Sequence, residues 1–407
     1  MKRKLFIFLF FSLLLLSCKE RPTIHNAQFH VVVDVPSTVR RDAVLMRGDM
    51  LSITDFVDSV SFIRLEAIDE SLIGRISQVL FLDDLIIIED NQTHSVFFFD
   101  RCGRFSHKIA RRGQGPGEYT NITRAMLDAD NRRIMVFDAF SRKMLFYNLD
   151  GTFIREINQF SGGAIIYDII NLPNGNFLAY NFDQYLGHQL SGLWEVDSNG
   201  VYIRTHLRPN TGYPFILNSF DSYLYHLNDG VGLSAGDVDV IYHFRQDTLT
   251  AFLSYTIRNR TSAEDVRRRN MRLRHRYRPG FDTFDHVRKS QTQEKGNWII
   301  TEWVDGSEGH MTFVSVYSKR DNKVVGVGVP LFENSPYFAS FGGAIIPSNN
   351  TASIIVELSS SIVSILLEHY QYMREIDRNK LKELTYGMSE REIEDMNPII
   401  QIFHLRQ

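Results

Sequence analysis

Between residues 50 and 255 the apolar side chains fall in short runs, either alternating with polar ones or continuous over a few positions. Turn-forming pairs such as Asp83-Asp84, Asp130-Asn131 and Asp150-Gly151 separate the runs. Twofold or unbroken spacing bounded by Asp, Asn and Gly predicts β-strands joined by tight reversals, because a helix would repeat its apolar positions near 3.6. One well-defined stretch predicts strands at 123–128, 133–138, 143–148 and 152–157.

The pattern recurs. Laying LIIIEDNQTHSVFFFDRCGRF over RIMVFDAFSRKMLFYNLDGTF places Asp90 on Asp138, Gly103 on Gly151 and Phe105 on Phe153, all at an offset of 48. In a third copy Asp197 and Gly200 lie 49 residues beyond Asn148 and Gly151. A fixed period of this size, built of short strands, predicts propeller blades, since each sheet buries its faces only against its neighbours. Looser copies begin near residues 240, 297 and 342, so 51–407 holds six blades. The predicted fold class is all-β: a six-bladed β-propeller of four-stranded antiparallel blades. The terminal IIQIFHLRQ is expected to close the ring as a strand given to the first blade, which removes exposed sheet edges.

Two segments break the pattern. Residues 258–290 open with Ser262 and Asp265 in capping-box spacing and carry Arg267, Arg268, Arg269, Arg272, Arg274, Arg276 and Arg278, which predicts a basic helical insertion. Such a cluster suits acidic polysaccharide or lipid headgroups, or is simply a solvated face. Residues 365–396, with Ser389 and Glu392 in the same spacing, predict a helical segment packed on the propeller before the last strand.

The N-terminus changes the picture most. Lys2, Arg3 and Lys4 precede an apolar run at 5–16, too short for the ~20 residues of a membrane span, and LLLLSC then resembles a lipobox. The expected organisation is a lipoprotein signal peptide at 1–17, Cys18 as the acylated mature N-terminus, and a lead-in and tether over 18–50. The chain would sit in the cell envelope, on the outer membrane, with its membrane contact made through the lipid anchor. Only one other cysteine exists, Cys102, so no disulfide framework or CxxC site is available. A net charge of −3 and a hydrophobic fraction of 43% describe a globular chain with no global field for nucleic acid, which is not an expected partner.

Candidate chemistry centres on RRGQGPGEYTNI at 111–122. Its alternating glycines, interrupted by Pro116 and followed by no Lys-Ser or Lys-Thr, exclude a phosphate loop or dinucleotide fingerprint. The histidines show no zinc spacing and no GxSxG elbow is present, so no catalytic or metal residues and no cofactor are expected. Let the strands of a blade be a to d from axis to rim. The a–b and c–d turns then share one face, while the b–c turns and the d–a crossings share the other. The string at 112–119 is such a crossing. On its face lie Arg111, Arg112, Gln114, Glu118 and Tyr119, together with Asp90, Asp138 and Arg142 at the b–c turns. Guanidinium groups suit carboxylates, an amide suits hydroxyls, and a tyrosine ring suits a sugar face, so these eight are the candidate ligand-binding residues. The competing reading is structural: Arg112 pairs with Glu118 to brace the loop, and the two aspartates form turns.

RGQGPGEY, with ITDFVDSVSFIRLEAIDESLIGRISQVLF at 53–81, IYHFRQDTL at 241–249 and the terminal MNPIIQIFHLR, resembles bacterial six-bladed β-propeller lipoproteins of the NHL-like kind. The resemblance spans nearly all of the mature chain and implies a propeller on a lipid anchor, with no catalytic residues to carry over. Cys102 departs from the polar residue usual in that turn, and the arginine-rich stretch is atypical. The leading functional expectation is a binding or scaffolding module for a carbohydrate, peptide or protein partner. The alternatives are a lactonase- or esterase-type hydrolase, with calcium held by carboxylates at the axis, and an accessory subunit of an envelope uptake complex.

Overall fold

A computed structural model describes residues 27–34, 50–160, 166–181, 192–208, 223–234, 240–258, 287–305, 311–331, 345–368, 371 and 375–407. Cys18 and the cluster from Arg267 to Arg278 lie outside the described residues, whereas the two ends of the expected insertion, Arg258 and 287–290, are strand.

The first strands among the described residues are β1 (Phe29–Asp34), β2 (Met50–Ser52) and β3 (Val57–Arg64). Five antiparallel meanders follow. Blade 1 comprises β4 (Ile76–Leu82), β5 (Leu85–Asp90), β6 (Ser95–Asp100) and β7 (Phe105–Ile109). Blade 2 comprises β8 (Arg124–Asp128), β9 (Arg133–Asp138), β10 (Lys143–Asn148) and β11 (Phe153–Ile157). Blade 3 takes β12 (Asp168–Asn171), β13 (Phe177–Asn181), β14 (Gly192–Val196) and β15 (Tyr202–Leu207), and blade 4 takes β16 (Leu224–Leu227), β17 (Gly230–Leu233), β18 (Val240–Arg245) and β19 (Thr248–Arg258). Blade 5 is built of β20 (Val287–Lys295), β21 (Trp298–Asp305), β22 (Met311–Ser318) and β23 (Lys323–Leu331). The sixth sheet has the order β24 (Ile345–Ile346), β25 (Ser353–Leu358), β26 (Ile399–Leu405), β3.

The expected six four-stranded blades are therefore present, and the ring closes in blade 6. β26 does pair with β3, from Ile399 opposite Arg64 to Leu405 opposite Val57. Three strands of that blade come from the C-terminal end, however, so it is the N-terminal strand that is lent to the rim. The lead-in also contributes sheet: β1 runs parallel to β19 and β2 parallel to β23, each as a fifth, outermost strand.

Why the strands read as continuous apolar runs becomes clear from the packing. Each blade is covered on both faces, so alternate residues serve different neighbours. In β6, Val96 and Phe98 pack toward blade 2 while Phe97 and Phe99 pack toward blade 6. In β9, Ile134 and Val136 face blade 1 whereas Met135 and Phe137 face blade 3. Further apolar clusters fill the remaining inter-blade spaces, and the last, containing Ile346, Ile355, Ile400 and Ile402, joins blade 6 to blade 1.

The predicted helical segment lies between β25 and β26 as α1 (Ser360–Glu368), α2 (Glu375–Leu384) and α3 (Glu390–Glu394). Ser389 caps α3 as expected: its Oγ accepts from Glu392 N at 3.3 Å and its own N–H donates to Glu392 Oε2 at 2.7 Å. Helix residues Val363, Leu366, Leu381 and Ile393 pack on Leu358 and Ile399. Asn397 then ties the segment down, accepting from Ile73 N at 2.8 Å and donating to Glu66 O and Ser71 O at 2.7 and 2.8 Å.

Candidate functional site

The crossing from β7 to β8 is held by its own backbone. Arg112 and Tyr119 form an isolated parallel bridge, Gly113 N–H donates to Tyr119 O at 2.9 Å, and Tyr119 N–H donates to Arg111 O at 3.0 Å. Glu118 turns inward, its Oε2 accepting from Gly115 N at 2.9 Å, and no ion pair joins it to Arg112. Two glycines have distinct reasons. A Cβ at Gly113 would collide with the Glu118 carboxylate, and Gly117 stands at φ +70° with its would-be Cβ 2.9 Å from the Phe153 ring. Gly117 is also gripped from blade 2, donating to Glu156 Oε2 at 2.9 Å and accepting from Tyr147 Oη at 3.0 Å.

Of the candidate residues, Tyr119 is fully buried. Its hydroxyl donates toward His94 O at 2.9 Å and Ile109 O at 3.1 Å, and burial pushes its pKa up to about 12. The ring has no face left for a sugar and serves the blade 1–blade 2 core. Asp90 and Asp138, equivalent in the repeat, are also fully buried and play one role in two blades. Each latches the crossing that enters its blade onto its own b–c turn. Asp90 accepts from Gly74 N and Arg75 N at 2.7 and 3.2 Å, and from Gln92 N and Thr93 N at 2.8 and 3.1 Å. Asp138 accepts from Thr120 N and Asn121 N at 2.7 and 3.2 Å, and from Phe140 N and Ser141 N at 3.0 and 3.1 Å. Burial alone would raise the Asp138 pKa, but the hydrogen bonds from Ser141 and Thr120 hold it below the ordinary value.

These latches place the crossing and the b–c turn of blade 2 on one face, where Arg111, Arg112, Gln114 and Arg142 are exposed. A shallow groove of about 320 Å³ runs there between Gly113, Gln114, Thr120, Phe140, Ser141 and Lys143. Phe140 is 79% exposed, and among the described residues Arg111, Arg112 and Arg142 enter no ion pair. Lys143 is tied to the loop, with Nζ 3.2 Å from Gly115 O and 3.6 Å from Glu156. The face thus turns its carboxylates inward and its guanidinium groups outward. Sequence reasoning missed Phe140. Its signal was an aromatic residue at the turn position that Gln92 occupies in the preceding repeat.

A second cavity, of about 270 Å³, lies along the axis among the innermost strands of blades 1 to 5 and the turn that follows β24 in blade 6. Its polar lining includes Gln78, Arg124, His226, Gln293 and Lys295, none of which was singled out from sequence. The available signal was polar residues on strands that must be innermost, above all SQTQEK in β20. Arg124 donates to Leu224 O at 3.3 Å and lies 3.5 Å from Asp168, whose other oxygen accepts from Tyr223 N and Leu224 N at 2.8 Å each. Behind this wall Glu89 accepts from Ala125 N at 2.6 Å, and burial raises its pKa to about 7. The lining reaches the a–b turns at Ala129 and Thr351, on the face opposite the crossing.

A closed ring of six antiparallel blades, with an axial cavity and a grooved b–c face, defines a six-bladed β-propeller. The chain belongs to the family described as Domain of unknown function (DUF4934), whose model matches residues 32–404. No curated protein matches it. Among solved structures it is similar to a Bacteroides fragilis protein described as exported, at 17% identity and a TM-score of 0.70, covering 93% of this chain and 100% of that one. It is also similar to a member of the DUF4221 family from Bacteroides vulgatus, at 10% identity and a TM-score of 0.49, with 86% and 97% of the two chains covered.

Proposed function

We propose that this propeller is a lipid-anchored binding module of the cell envelope, and that it holds its partner in the groove beside the RGQGPGEY crossing. The observation that carries this reading is the pairing of an exposed Phe140 ring with outward, unpaired guanidinium groups on a backbone fixed by buried aspartates. An aromatic face with an amide and cations around it suits a glycan, stacked on the ring and held through its hydroxyl or carboxylate groups. A peptide or an envelope protein is the other class of occupant. Phe140→Ala is expected to lower affinity in a glycan and peptide screen at least about tenfold, the loss of one stacking contact of ~1.4 kcal/mol, with no change in melting temperature. Unchanged binding of every hit would move the site elsewhere.

Anchoring rests on the basic n-region, the short apolar run and LLLLSC, with the exported description of the Bacteroides fragilis protein in support. No helix among the described residues is long and apolar enough to cross a membrane. Cys18→Ala is expected to move the protein from the membrane pellet to the soluble fraction; a variant that still pellets would sink the anchor. The calcium-hydrolase reading needs carboxylates converging on the axis; Glu294 lines the axial cavity, but its oxygens are taken by His243 and Lys319, and Arg124, His226 and Lys295 stand there with it.

A further inference from the structure

We infer that the axial cavity is a second binding site, for a small hydroxylated carboxylic acid such as a single acidic sugar. At about 270 Å³ it lies just under the ~300–1,000 Å³ of typical small-molecule sites, which restricts the occupant to a compact molecule.

Two features of the lining set the ligand's chemistry. The first is charge. Lys295 is 4% exposed, and its ammonium donates to Ser348 O at 3.0 Å, Ser348 Oγ at 3.3 Å and Asn350 O, with no carboxylate paired to it among the described residues. The carboxylates nearby are otherwise engaged. Asp168 faces Arg124, and the Glu294 oxygens are taken on the outer side by His243 Nε2 and Lys319 Nζ at 2.8 Å each. A buried cation held by neutral oxygens favours an anion beside it. The second feature is an unmet acceptor. Gln293, 5% exposed, donates from Nε2 to Ile346 O at 3.0 Å, which fixes the amide, and its Oε1 has no partner. A ligand that meets both needs carries a carboxylate for the cation and a hydroxyl that donates to the amide oxygen.

The protonation states give the site a pH signature. Burial lowers the Lys295 pKa to about 7, so its charge is present below neutrality and lost above it. Glu89, raised to about 7, gains negative charge over the same range and acts in the same direction. His226, held down to about 4 by burial and by Arg124 and Lys295, stays neutral throughout. Glu294, although buried, is kept below the ordinary carboxylate range by its bonds from His243 and Lys319, and stays ionised.

The test is isothermal titration of the full chain with lactate, gluconate and glucuronate, and with glucose as the neutral control, at pH 6 and pH 8. At least one acid is expected to bind at pH 6, about tenfold more weakly at pH 8, with net proton uptake near neutrality and no binding of glucose. Lys295→Met is expected to remove both binding and pH dependence while the protein stays folded. Glu89→Gln is expected to keep most of the fall, and Phe140→Ala, on the opposite face, to change nothing. Failure of all three acids at pH 6, equal affinity for glucose, or an affinity flat from pH 6 to 8 would overturn the inference without reference to any variant.

Discussion

Ending the chain before Asn397 is expected to abolish the single cooperative unfolding transition of the propeller. The deleted segment contains β26, which lies between β25 and β3 and joins the two ends of the chain within blade 6. Five of its apolar side chains, Ile399, Ile400, Ile402, Phe403 and Leu405, are 7% exposed or less. Burying each is worth ~2 kcal/mol, so the strand contributes roughly 10 kcal/mol, comparable to the whole net stability of an ordinary fold. The truncation also strips the hydrogen-bonding partners of β25 and β3, and it removes Asn397, which fastens the helical segment to the entry of blade 1. Thermal unfolding followed by circular dichroism should become broad and weakly cooperative. A truncated chain melting as sharply as the intact one, at the same temperature, would refute closure by β26.

How far the ring could be read in advance depended on where the repeat was intact. In blade 2 the Asp, Asn and Gly turns fall at a constant offset, and each strand lies within one residue of its expected bounds. Blade 6 was harder, because α1, α2 and α3 separate its second and third strands and interrupt the period. Helix α1 starts at Ser360, earlier than the expected 365, since its apolar residues follow those of β25 after only a short serine-rich break. The parallel strands β1 and β2 carry no repeat signal, being single additions to rims already built.

The site was legible in its backbone and not in its side-chain directions. Alternating glycines in RGQGPGEY announced a tight crossing, and topology put it on the b–c face. Whether Tyr119 pointed out to solvent or into the blade 1–blade 2 core depends on one residue of parity around that crossing, and the ring points in. Phe140 instead offers the exposed ring. The axial residues were invisible for another reason: Arg124, His226 and Lys295 sit on three different blades, and only ring closure brings them to one cavity.

Asp138→Ala is expected to destabilise the propeller by about 3–5 kcal/mol, a fall of roughly 5 °C or more in melting temperature, and to abolish binding in the groove. The carboxylate receives four backbone N–H groups, from Thr120, Asn121, Phe140 and Ser141, and the Thr120 and Ser141 hydroxyls at 2.8 and 2.6 Å. Alanine would leave those donors facing a void at a fully buried position, at ~1–3 kcal/mol for each that water cannot reach. Asp138→Asn should cost less, since it keeps one acceptor oxygen, and a buried Asn181 stands at the equivalent strand end of blade 3. The acid limb has a definite sign. The folded-state pKa of Asp138 lies below its ordinary 3.8, so the carboxylate's contribution is present above that value and lost as pH falls through the folded one. The stability gap to Asp138→Ala should accordingly hold from pH 5 to 8 and narrow only in strong acid. Because the same carboxylate clamps the crossing to the turn bearing Phe140, its loss should unfix the groove, whereas Phe140→Ala removes the contact and spares the fold. If both variants melt alike, the latch is not what shapes this face.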